Sequence, residues 1–89
     1  MVQIVENHAE ISGELLSVTP DTERPGFVVL DVQVTDARNV ADFPNMFARD
    51  IGQTITVLAR DGRAAANARP GPVTLRVKKT GPGMSFVEE

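Results

Sequence analysis

The chain has no cysteine, no tryptophan and no tyrosine, and only one histidine among its 89 residues. Without cysteine there is neither a disulfide framework nor a thiolate metal site. One imidazole, His8, falls short of the ligand sets that metal centres need, and no flanking pattern orients it. No apolar run approaches the roughly 18 residues of a membrane-spanning helix. The stretch Met1 to Asn7 lacks a basic start and an apolar core, so no secretory signal is expected. The expected compartment is the cytoplasm.

Reaction chemistry is equally thin. Ser12, Ser17 and Ser85 have no nucleophile-elbow surroundings. Gly81-Pro82-Gly83 lacks the Lys and Ser/Thr ending and the following helix of a phosphate-cradling loop. The acids Asp36, Asp42 and Asp50, or Asp21 and Glu23, match no calcium loop. No enzyme, cofactor or metal is expected.

Strict two-residue alternation is what the chain does have. In 27–35, Val28, Leu30, Val32 and Val34 project one way while Asp31, Gln33 and Thr35 project the other. Residues 54–60 and 73–78 repeat the pattern. A period of two specifies strands with one face in a core and one in water, the habit of antiparallel sheets. Between His8 and Val18 the alternation slips at Leu15-Leu16 and carries Gly13, which predicts a bulge or sharp bend. The segment 19–26 is rich in breakers and predicts a hairpin with a mobile loop.

Two stretches leave the alternation. Val40, Phe43, Met46, Phe47 and Ile51 recur at spacings of three and four, predicting a short helical plug capped by Asp42 and ended by Gly52. Asp61-Gly62 is a turn, and Arg63 to Arg69 is an Ala-rich helical segment stopped by Pro70-Gly71. A last short strand is expected over 84–87. The chain therefore divides into a lead-in, 1–7, and one domain, 8–89, of all-β class: a barrel with one or two short helices.

That order, a long bent strand, three further strands with a short helix between the third and fourth, and a final strand, resembles the oligonucleotide/oligosaccharide-binding (OB) fold. The fold is a five-stranded Greek-key barrel. The resemblance covers roughly 8–88 and is most marked from Gly52-Gln53-Thr54 through Ala64-Ala65-Ala66 to Arg69-Pro70-Gly71. That stretch looks like the second half of bacterial single-strand-binding barrels and like small oxyanion-binding barrels of some transporter ATPases. An SH3-like barrel and a small sandwich are the alternatives.

Charge is uneven. Residues 1–50 carry −6 and residues 51–89 carry +3, for a net −3. An acidic chain is poorly suited to non-specific nucleic-acid binding, but its C-terminal half supplies six bases. The resemblance implies a binding surface on the outer face of 27–35 and 54–60. There, phosphates would meet Arg60, Arg63, Arg69, Arg76, Lys78 and Lys79, and bases would stack on Phe27 or Phe86. Two functions follow as expectations. The first is binding of single-stranded nucleic acid. The second is protein association or self-assembly through an exposed apolar face of Phe27, Val29 and Leu58, or through a strand edge.

Overall fold

The computed structural model describes residues 5–81 and 83–88. Five strands form in chain order: β1 (Ala9–Pro20), β2 (Phe27–Asn39), β3 (Thr54–Arg60), β4 (Gly71–Gly81) and β5 (Met84–Val87). The alternation translates directly into burial. Val28, Leu30, Val32 and Val34 of β2 are buried, as are Val57 and Ala59 of β3 and Val77 of β4. Ile55, Val73 and Leu75 pack against that core from partly buried positions. Ala9, Ile11 and Leu15 complete it from β1. Burying each such aliphatic side chain is worth about 1.5–3 kcal/mol, so the alternation itself selects which face turns inward.

The strands close in the order β1-β2-β3-β5-β4. β1 makes this possible by pairing with β2 along its length and with β4 over Ala9 to Leu15. All neighbours are antiparallel except β3 and β5, which run parallel and meet in register at Leu58 and Phe86. The result is a closed, mixed, five-stranded barrel.

So long a strand can serve two partners only if it bends, and two bulges bend it. Ser12 pairs with Asp36 but Gly13 pairs with Val34, leaving Thr35 extra on β2. Leu15 pairs with Val32 but Ser17 with Asp31, leaving Leu16 extra on β1 and exposed to solvent. Both features match the expected bend at Gly13 and the slip at Leu15-Leu16. Gly13 is required by proximity: a Cβ there would collide with the Gln33 carbonyl oxygen and lie 2.9 Å from its carbon.

The predicted helices shrink to two 3-10 turns, Ala48–Asp50 and Ala64–Asn67. In the first region the helical face is not formed, and local polar bonds explain why. Asn45 Oδ1 accepts from the Phe47 N–H (2.9 Å), while its Nδ2 donates to the Ala37 carbonyl (3.1 Å) and to Asn39 Oδ1 (3.2 Å). The Pro44 carbonyl accepts from the His8 N–H instead of a helical donor. Ala41 takes a left-handed φ of 46°, which no right-handed helix accommodates. Asn45, rather than Asp42, therefore organises the turn, and Phe47 fills the core with Met46 packed against it. Phe47 is fully buried, whereas Phe43 and Ile51 are 39% and 45% exposed. In the second region Ala65 alone is buried.

Of the lead-in, residues 1–4 lie outside the described residues. Asn7, only 2% exposed, fastens the remainder. Its Nδ2 donates to the Lys79 and Val5 carbonyls and its Oδ1 accepts from the Lys79 N–H, each at 2.9 Å. The side-chain amide thus takes the place of a strand residue beside β4.

Candidate ligand groove

In-register partners project to the same side of a sheet, so the pairing places the outward residues in rows. Phe27 faces Arg60, and Val29 faces Leu58. Leu58 in turn faces Phe86, which faces Lys78. A groove of about 440 Å³ opens along these rows, lined by Phe27, Leu58, Arg60, Arg63, Lys78 and Phe86. The two rings meet edge to face, with centroids 5.9 Å apart and planes at 69°. The Arg60 guanidinium carbon stands 5.8 Å from the Phe27 centroid, within cation–π range. Arg63 enters because its extended backbone ends the β3 turn and precedes the second 3-10 turn.

The loop between β1 and β2 is tied to this end of the barrel. Asp21 Oδ1 accepts from the Glu23 N–H (2.9 Å) and Oδ2 from Arg24 Nη1 (3.2 Å). The Glu23 amide, followed by the Arg24 guanidinium, holds the Asp21 carboxyl below its ordinary range. Arg24 Nη2 also reaches Met84 Sδ at 3.7 Å, bridging the loop to β5. Asp21 is therefore already engaged within the chain.

Of the residues picked out in the sequence, Phe27, Arg60, Arg63, Lys78 and Phe86 come together in the groove. Arg69 is exposed beyond the second 3-10 turn and does not line it. Arg76 lines a second, shallower cleft with His8, Val40, Phe43 and Glu88. Lys79 is committed elsewhere: its Nζ is 3.4 Å from Asp50 Oδ2 and 5.1 Å from the Phe47 centroid. The exposed apolar face of Phe27, Val29 and Leu58 needs correction. Leu58 is only 6% exposed, because it stands between Val29 and Phe86 on the outer side of the barrel. Phe27 and Val29 are half-buried.

Two carboxylates near the groove were not assigned roles from the sequence. Asp31 sits one row beyond Val29 and accepts hydrogen bonds from Ser17 (2.9 Å) and Thr56 (3.0 Å). Its outward direction was legible in the alternation, but its partners required the register of three strands. Glu88 lines both the groove and the shallower cleft. Its Oε2 lies 2.6 Å from His8 Nδ1, and Glu6 Oε2 lies 3.2 Å from His8 Nε2. The hydrogen bond to Glu88, then that to Glu6, raises the His8 pKa above 6.5. The imidazole also meets the Phe43 ring edge-on at 4.4 Å.

Comparison with family models, with curated proteins and with solved structures finds no match.

Proposed function

We propose that the chain is a non-enzymatic OB-type module that binds single-stranded nucleic acid in the groove at Phe27 and Phe86. One observation carries this reading: two aromatic rings and three cations converge on one cleft. The barrel order agrees with the OB arrangement, whose ligands lie on the face of the second and third strands, between the loops joining β1 to β2 and β4 to β5. Here the first of those loops is fastened to Met84, beside the second. Stacking of a base on a ring is worth about 1–3 kcal/mol and needs no particular sequence. Cations beside the rings supply the phosphate attraction that stacking lacks. Protein association finds less support, since Leu58 is covered and barrel closure removes most open strand edges.

Fluorescence anisotropy with a labelled oligonucleotide tests the reading. Binding should be micromolar or tighter at low salt. The double variant Arg60→Glu, Lys78→Glu should abolish it without lowering the melting temperature, since neither side chain is in the core. Absence of binding by the unmodified chain at low salt would overturn the proposal.

A further inference from the structure

Two ring–cation pairs line the groove, with Arg63 and Glu88 beside them. Phe27 on β2 stands in register with Arg60 on β3, and Phe86 on β5 stands in register with Lys78 on β4. Each half of the groove pairs one ring with one cation across a strand pair, the Arg60 guanidinium lying 5.8 Å from the Phe27 centroid. A ring with a cation is the minimum that a single nucleotide requires: a surface for the base and a charge for its phosphate. Leu58, opposite Phe86 and beside Arg60's strand position, joins the halves with apolar surface. Because the rings meet edge to face at 69°, they form a corner rather than a slot. No base can be sandwiched between them, so each ring takes one base at most.

The outward rows of β2 and β3 continue beyond the residues that line the groove. Asp31 stands four residues along β2 from Phe27, about 13 Å at strand spacing. It lies on the outward face and in register with Thr56. Its carboxylate is fixed there by the hydroxyls of Ser17 and Thr56. An approaching phosphate would meet a like charge that cannot swing away, where an OB surface that continued along β2 and β3 would need cations. Beyond that row the outward residues are Gln33 and Thr54, neither basic nor aromatic.

From these rows we infer that the site accommodates two nucleotides and that the Asp31 carboxylate terminates it. This rests on the nucleic-acid reading above and narrows it. Sites on single OB folds commonly span about 4–16 nucleotides, so a two-nucleotide footprint is a distinct property. Chemically, the ligand is a dinucleotide unit, supplied either as a short free oligonucleotide or as part of a longer strand.

The test compares 5′-phosphorylated thymidine mono-, di-, tetra- and dodecanucleotides in binding to the intact chain and to Asp31→Asn. Affinities are corrected for the number of overlapping registers on each strand. The dinucleotide should bind at least about tenfold more tightly than the mononucleotide. The corrected affinities of the tetra- and dodecanucleotides should then stay within about threefold of it. Asp31→Asn keeps the shape of the side chain and should strengthen dodecanucleotide binding about three- to tenfold while leaving the dinucleotide unchanged. A corrected affinity that keeps climbing to twelve nucleotides, or a mononucleotide as tight as the dinucleotide, overturns the two-nucleotide site. An unchanged dodecanucleotide affinity in Asp31→Asn overturns the role of Asp31. Failure of every strand to bind the intact chain instead removes the nucleic-acid reading itself.

Discussion

His8 is the one histidine of the chain, and its surroundings favour the charged form. Glu88 and Glu6 contact opposite ring nitrogens at 2.6 and 3.2 Å, and they raise the folded-state pKa above 6.5. A raised folded value means that the folded state binds the proton more tightly than the unfolded chain does. The associated stability is fully present below the unfolded value of about 6.5 and fades as pH rises through the folded value. The difference in melting temperature between the unmodified chain and His8→Gln should therefore be largest at about pH 5.5–6.5 and shrink on the alkaline side. The imidazole proton resonances should titrate above the free-histidine value. Melting curves that stay parallel across that range would show that the two carboxylates do not hold a protonated ring.

At the scale of the strand, Gly13 decides whether β1 can belong to two halves of the barrel. Its neighbour across the bulge is backbone, the Gln33 carbonyl, which cannot rotate aside as a side chain would. Gly13→Ala should therefore cost about 3 kcal/mol or more, at the upper end for overpacking, out of a total stability of about 5–15 kcal/mol. Gly81→Ala is the control, since a Cβ there meets nothing within 4 Å. Urea denaturation of both variants measures the contrast, and equal midpoints would show that β1 does not need the close approach. The strands were readable because period-two alternation is a local signal that burial reinforces. Thr54–Arg60 falls where the alternation puts it, and Met84–Val87 is the short strand expected after the turn. The apolar spacing over 40–51 yields only the 3-10 turn Ala48–Asp50, because Asn45 satisfies the backbone there in a non-helical way. Spacing alone carries no record of which residues spend their hydrogen bonds on distant partners, such as Pro44 on His8.

Across the whole molecule, the charge imbalance of the sequence does not map onto one surface. The C-terminal half holds six bases, but the barrel sends only Arg60, Arg63 and Lys78 to the groove. Arg76 turns to the His8 cleft and Lys79 to Asp50, while Arg69 projects past the second turn. Linear order could mark the bases as available but not say which would converge, because convergence depends on β3 meeting β5 across the closure of the barrel. The same closure buries Leu58 beside Phe86, so an apolar residue that alternation assigned to the outside became part of the groove floor. This division has a thermodynamic signature. Each single-strand phosphate neutralised contributes about −0.7 to the slope of log K against log salt. Two phosphates held in the groove should give a slope of about −1.4, whereas engagement of all six bases would give about −4. A salt titration of oligonucleotide binding separates the two without any mutation, and Arg69→Ala should leave the slope unchanged. A slope near −4 would mean that the strand runs beyond the groove and also engages Arg69, Arg76 and Lys79.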